Sequence, residues 1–129
     1  MCVCGKKNMF HEKDLTYKIN GCIYELNRVL GPGFLEKVYE RSLVLELKSK
    51  GLKTKSQVPI KVHYKGEIVG DYTPDIIVED RVIIELKAQE VLHPAHEAQL
   101  LNYLKATELK VGLLVNFTYP KATIKRMVL

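Results

Sequence analysis

The stretch of sequence that decides the fold is Pro74-Asp75-Ile76-Ile77-Val78-Glu79-Asp80-Arg81-Val82-Ile83-Ile84-Glu85-Leu86-Lys87. Two strongly apolar runs flank a short polar turn around Asp80, which predicts a β-hairpin. If the chain turns there, Asp75 lies opposite Glu85 on one face of the two strands, with Cβ atoms about 5 Å apart. Because side chains alternate along a strand, Lys87 shares that face and Leu86 points into the opposite layer. The hairpin therefore predicts two carboxylates and one amine on a single face.

This polar face permits two interpretations. It could be solvated, with Lys87 paired to either acid. Alternatively, the acids bind a hard divalent cation, because two carboxylates placed opposite each other repel and such a cation takes oxygen ligands at this separation. A helix must pack somewhere on this sheet, and acids that interrupt the most apolar strand of the chain need compensation when they are buried. Spacing alone leaves both interpretations open.

Apolar periodicity outside this hairpin predicts the remaining elements. Helices are expected over residues 13–30, 34–50 and 94–107, and strands over residues 58–64, 67–72, 75–78, 82–88, 111–117 and, as a short edge, within 121–129. The four strands between the second and third helices are expected to form an antiparallel meander. This order of elements places helices over a mixed sheet, which is an α/β layer arrangement.

The composition fits a single globular domain over residues 1–129. A chain of this length, with 47% hydrophobic residues, buries enough surface for a core without disulfide or metal staples. Residues 1–11, which contain Cys2 and Cys4, are expected to form a flexible N-terminal segment, and Cys22 falls on the apolar face of the first helix. No paired C-x-x-C spacing occurs, so all three cysteines are expected to be free thiols.

Charge and hydropathy limit the class of protein further. The longest apolar run near the C-terminus, residues 111–119, is too short to span a bilayer, and the first residues lack the apolar core of a secretory signal. The sequence therefore predicts a soluble cytoplasmic protein without membrane contact. Its net charge of +5 would favour a polyanionic partner, but its basic residues are scattered, so charge alone does not identify nucleic acid.

Three motifs follow one another along the chain. Asp75, nine intervening residues and then Glu85-Leu86-Lys87, with a proline before the aspartate, resembles the signature of the PD-(D/E)xK nuclease-like superfamily. Upstream, Gly33-Phe34-Leu35-Glu36-Lys37-Val38-Tyr39 resembles the pattern that names the GxxExxY family within that superfamily. Downstream, Gln99 and Tyr103 have Q-x-x-x-Y spacing. The order of the motifs makes the resemblance specific, and it covers about residues 14–128.

The resemblance implies a fold and a reaction. The fold is restriction-endonuclease-like, an αβββαβ core with a mixed central sheet flanked by helices, here with an additional N-terminal helix. The reaction is metal-dependent hydrolysis of phosphodiester bonds in nucleic acid, with DNA as the usual substrate of the superfamily. Asp75, Glu85 and the backbone carbonyl of Leu86 would bind Mg²⁺, for which Mn²⁺ can substitute, and Lys87 would orient or activate the attacking water.

Other residues of the motifs could contribute to the site or have only structural roles. Glu36 resembles the helical acid that completes such a site through a second metal or a metal-bound water; the structural alternative is an exposed helix residue. Glu40 lies one turn later on nearly the same face and could share or take over that role. Gln99 and Tyr103 project from one helix face, where the resemblance implies contact with the active site and the substrate phosphate, while packing is as good an explanation for Tyr103.

Several structural roles and one alternative function also follow. Tyr39 is expected to pack in the core or at its rim, Gly33 to meet a turn requirement, and His96 to form a hydrogen bond at the start of the third helix rather than to bind metal with His93. The alternative function is a nuclease-like domain that binds nucleic acid or a partner protein without cleavage. Because the chain is close to the minimal core, a homodimer or a partner subunit could be required for activity.

Overall fold

The computed structural model describes residues 12–129, and the predicted flexible segment with Cys2 and Cys4 lies outside the described residues. The described elements are, in chain order, α1 (Lys13–Leu30), α2 (Glu36–Ser49), β1 (Thr54–Ser56), β2 (Ile60–Tyr64), β3 (Glu67–Tyr72), β4 (Ile76–Val78), β5 (Val82–Lys87), α3 (Pro94–Thr107), β6 (Val111–Asn116) and β7 (Thr123–Val128). They form a mixed α/β fold, as predicted. Among residues 12–129, no helix combines the length and apolar character that a membrane span requires.

A five-stranded sheet forms the centre of the fold, with strand order β1-β4-β5-β6-β7. The β5–β6 pair is parallel and the other pairs are antiparallel. Alternate residues of the sheet face two separate apolar clusters, one formed with α1 and α2 and the other with α3. Helices therefore cover both faces, and α3 is the crossover that two neighbouring parallel strands require.

The predicted four-stranded meander is wrong. β2 and β3 form a separate two-stranded sheet, and β4 instead pairs with β1, a strand of three residues that the sequence pattern did not predict. Pro74, which lacks a backbone donor, is buried between β3 and β4, and it interrupts the chain where a meander would continue. The separate hairpin turns at Lys65 and Gly66, both with positive φ, and packs on α3 through Tyr72.

α1 forms because apolar residues recur on one face, where Leu15, Ile19, Ile23 and Leu26 are buried. It ends at Gly31, whose φ of 68° is easily adopted by glycine and whose N–H donates to the carbonyl of residue 27 at 2.9 Å. The next helix begins five residues beyond this glycine, and α1 and α2 lie side by side on one face of the sheet.

Tyr39 and Gly33 have the structural roles that were predicted for them. Gly33 has a φ of 107°, which a side chain would disfavour, and lies in the turn between the first two helices. Tyr39 is fully buried and its ring stacks on Phe117 at 4.1 Å between centroids. Its hydroxyl donates to the carbonyl of Gly31 at 2.6 Å and accepts from the amide of Phe34 at 3.2 Å, which satisfies backbone groups at the turn.

Candidate active site

The predicted pairing of Asp75 with Glu85 is confirmed by the strand register. β4 and β5 pair with Ile76 opposite Ile84, which brings the preceding aspartate to the level of the glutamate. The backbone N–H of Asp75 donates to Oε2 of Glu85 at 2.9 Å, and the N–H of Leu86 donates to Oδ2 of Asp75 at 2.8 Å. Each carboxylate is therefore oriented by the backbone of the opposite strand.

Burial argues against a fully solvated face. Glu85 is only 5% exposed, because α3 covers its side of the sheet, so the solvated-face interpretation is wrong for this residue. Desolvation, and then the charge of Asp75, raise the pKa of Glu85 to about 8. Desolvation also raises the pKa of Asp75, against the opposing effect of the hydrogen bond from Leu86. The pair thus resists carrying two negative charges without a compensating cation.

Lys87 lies on the same face but does not neutralise either acid by direct contact. It is half-buried, and among residues 12–129 its ammonium comes within 4.0 Å of no carboxylate oxygen. Its positive charge lowers the pKa of both Asp75 and Glu85, which places it near the pair. Its ammonium is therefore not held in an ion pair by any carboxylate of residues 12–129.

The structure brings Glu40, rather than Glu36, to the two acids. Glu36 is the exposed first residue of α2, and its charge acts on His96 at the start of α3. Glu40 is 6% exposed, and its Oε2 accepts hydrogen bonds from Ser56 Oγ at 2.8 Å and from Gln57 Nε2 at 2.9 Å. The negative charge of Glu40 raises the pKa of both acids of the pair, which confirms that it lies on their side of the molecule.

α3 lies over the acids on the side that carries Tyr103. Tyr103 is buried against Tyr72 with centroids 4.6 Å apart, and desolvation, followed by the charge of Glu85, raises its pKa to about 12. Gln99, one turn earlier, is exposed and forms no hydrogen bond within the described part of the chain. Packing is thus established for Tyr103, while Gln99 presents its amide to solvent.

The helix-start role predicted for His96 is confirmed, and His93 shares it. Nδ1 of His93 accepts from the amide of Ala95 at 3.0 Å, and Nδ1 of His96 accepts from the amide of His93 at 3.3 Å, which together form a capping box. Desolvation and the charge of Lys87 lower the pKa of His96. α3 is thereby fixed at the end that approaches Lys87.

Sequence reasoning missed two polar side chains that support this region. Asn116 is buried, and its side chain accepts from the amide of Gln89 at 2.9 Å and donates to the carbonyl of the same residue at 2.8 Å. Since Asn116 is the register partner of Lys87, these bonds fix the chain just beyond the lysine. A polar residue in a wholly buried strand was a usable signal for Asn116. No pattern in the sequence marks Gln57, the second of these side chains.

The oxygen donors of this face fit a hard divalent cation. Asp75 and Glu85 supply carboxylate oxygens across the β4–β5 pair, and desolvation, the main cause of their raised pKa values, disfavours their charged forms unless a cation binds. Among residues 12–129, no three or more His, Cys, Asp or Glu side chains cluster closely enough to share one metal ion. Glu36 and Glu40 therefore do not join the pair as direct ligands in this conformation, and carbonyl or water oxygens would fill the remaining positions.

The chain matches a nuclease superfamily in sequence and two solved structures in fold. The family model of the PD-(D/E)XK nuclease superfamily matches residues 13–127. No curated protein matches the chain. Among solved structures, SSO0001 superposes with a TM-score of 0.58 at 19% identity, over 71% of this chain and 48% of that one. An alkaline exonuclease from Laribacter hongkongensis superposes with a TM-score of 0.52 at 14% identity, over 71% and 54%. The chain thus shares their fold and corresponds to about half their length.

Proposed function

This chain belongs to the PD-(D/E)XK nuclease superfamily, and from that membership we propose that it hydrolyses phosphodiester bonds in nucleic acid with a divalent cation. The observation that supports this proposal most is the pairing of buried Glu85 with half-buried Asp75, with Lys87 on the same face. Nucleases of this superfamily generally use divalent metals, and we propose Mg²⁺, with Mn²⁺ as a substitute, and DNA as the substrate.

Asp75, Glu85 and the carbonyl of Leu86 would hold the cation. When bound, it would lower the pKa of a water molecule and neutralise charge that develops on the phosphate. Lys87 would orient the attacking water, because an ammonium has three donors and no acceptor and no carboxylate of residues 12–129 forms an ion pair with this one. The lysine thus positions the nucleophile rather than removing its proton.

Residues around this centre complete the proposal. Glu40 would act through a metal-bound water, the role first considered for Glu36, because it is the helical acid next to the pair. Gln99 is proposed to contact the substrate phosphate from its exposed position, with Tyr103 supporting the helix beneath it. The upstream motif ending at Tyr39 supports membership of the GxxExxY family as the finer assignment.

The cellular setting is also a proposal. We place residues 1–129 in one nuclease-like domain, and a cytoplasmic location is supported by the free, buried thiol of Cys22. Because the chain spans about half the length of the two solved structures it matches, a homodimer or a partner subunit could supply substrate specificity.

A nuclease assay tests the proposed function. Wild type, Glu85→Ala and the control Glu67→Ala, which removes an exposed hairpin glutamate, are incubated with Mg²⁺ or Mn²⁺ on duplex DNA, single-stranded DNA and RNA. Cleavage is expected from wild type and the control only. Equal cleavage by Glu85→Ala would indicate a contaminant and refute the proposal, and metal-dependent binding without cleavage would favour the non-cleaving alternative.

A further inference from the structure

Gln57, the residue after β1, connects two acids that do not contact each other directly. Its Nε2 donates to Oε2 of Glu40 at 2.9 Å and to Oδ1 of Asp75 at 3.2 Å. Its backbone N–H donates to the carbonyl of Asp75 at 3.0 Å. One residue therefore fixes both the main chain and the side chain of Asp75 and ties them to α2.

The backbone of Gln57 has an unfavourable conformation. Its φ of 57° lies in the left-handed region, which costs energy for a residue with a Cβ and which glycine adopts freely. Such strain persists where surrounding contacts impose it, and it clusters at functional sites. The side chain of Gln57 is therefore kept at a position where local backbone preference favours glycine.

The chemistry of the amide suits its two acceptors. A carboxamide NH₂ group has two donors, one for each carboxylate, and carries no charge. A lysine in its place would neutralise the acids and compete with a cation, and a glutamate would add a third repelling charge. The hydroxyl of Ser56, the preceding residue, donates to Glu40, whereas the hydrogen bond from Nε2 of Gln57 links Glu40 to Asp75.

We propose that Gln57 is a positioning residue for the metal site, which orients Asp75 and couples it to Glu40. This inference rests on the proposed function, since it assumes that Asp75 binds the cation. Partners of ligating carboxylates typically contribute 10- to 100-fold to metal affinity. Removal of the Gln57 amide is therefore expected to weaken metal binding about tenfold without unfolding the protein.

Two substitutions separate positioning from folding. Gln57→Leu removes the amide and keeps the size and the strained backbone, whereas Gln57→Gly removes the side chain and relieves the strain. The control is Lys65→Gly, which relieves a similar φ of 50° in the β2–β3 turn, away from the acids. Mn²⁺ affinity is measured by titration calorimetry, and melting temperature is measured in EDTA.

Both Gln57 variants are expected to bind Mn²⁺ about tenfold more weakly while Gln57→Gly melts within a few degrees of wild type. Lys65→Gly should bind Mn²⁺ as wild type does. Wild-type affinity in a folded Gln57→Leu protein would overturn the inference, and if that variant does not fold, Gln57→Gly decides in the same way.

Glu85→Gln in the same titration separates this inference from the proposed function. If wild type binds Mn²⁺, Glu85→Gln does not, and the Gln57 variants bind normally, only the role of Gln57 is refuted. If wild type does not bind Mn²⁺, or Glu85→Gln binds it equally well, the metal site itself is refuted and the inference falls with it.

Discussion

Glu85 is a charged residue at a strand position that the fold buries. Its neighbours Ile84 and Leu86 pack toward α1 and α2, while the glutamate faces α3 beside Ile83 and Tyr103. A buried carboxylate loses its hydration, and the backbone hydrogen bond from Asp75 replaces only part of it. Burial of this carboxylate therefore lowers the stability of the metal-free protein, and a bound cation would offset the loss.

This cost makes stability depend on pH in a direction that can be stated. The pKa of Glu85 is raised from 4.5 to about 8, so the folded state retains a proton that the unfolded state releases. In EDTA, the free energy of unfolding of wild type should therefore fall as pH rises from about 4.5 to about 8. Glu85→Gln cannot ionise, so its decline should be smaller and at pH 8 it should melt at an equal or higher temperature.

Divalent metal should reverse the order of the two melting temperatures, so that wild type melts at a higher temperature than Glu85→Gln. Metal at ten times its dissociation constant stabilises wild type by about 1.4 kcal/mol, or several degrees, and Glu85→Gln should gain much less. Melting curves at several pH values, in EDTA and then in Mg²⁺ or Mn²⁺, measure both effects, with Glu67→Gln as the exposed control. If the melting temperature of wild type does not change when metal is added, the result would count against Asp75 and Glu85 as ligands.

Lys87 should affect turnover more than metal binding. Lys87→Met is expected to lower kcat more than tenfold and leave Mn²⁺ affinity largely intact, because the lysine is proposed to act on the water. Lys18→Met, on the exposed side of α1 and on the other side of the sheet, is the matched control. Loss of metal binding together with the lysine would mean that its role was misassigned.

At the scale of elements, the sequence predicted what local patterns determine. The β4–β5 pairing followed from two apolar runs around Asp80, and the helices followed from apolar spacing. β1 was missed because Thr54–Ser56 is short and polar, and its pairing with β4 depends on tertiary contacts. Tertiary contacts also determine the site. The packing of α2 brings Glu40, rather than Glu36, close to the acids, and no local pattern pointed to Gln57.

The contact between α3 and β6 depends on glycine at position 112, which has no side chain. A Cβ at Gly112 would lie 2.8 Å from Cδ1 and 3.0 Å from Cγ of Leu100, which is fully buried and cannot easily move. Gly112→Ala is therefore expected to destabilise the protein by about 1–3 kcal/mol. Urea denaturation measures this, with Gly70→Ala, where an added Cβ meets nothing within 4 Å, as control. Equal stability of the two variants would show that Leu100 can shift.

At the scale of the whole molecule, ion pairs neutralise part of the positive charge of the lysines. Lys53 and Lys55 both contact Asp80, at 2.8 and 3.0 Å, and Lys125 contacts Glu97 at 2.9 Å. These exposed pairs add little stability, but they reduce the charge available to a polyanion. With a net charge of only +5, the protein should engage few phosphates at once.

Nucleic-acid binding should therefore weaken with salt, but only moderately. Each neutralised phosphate releases counterions, and two to four contacts correspond to a loss of roughly 10- to 100-fold in affinity between about 50 and 200 mM salt. Fluorescence anisotropy of a labelled DNA, measured in EDTA to prevent cleavage, gives the slope. An affinity that does not change with salt would remove phosphate contact from the proposal. A loss of several thousandfold would instead require more positive charge than the scattered lysines of one chain provide, and would point to a second copy or a partner subunit that completes the binding surface.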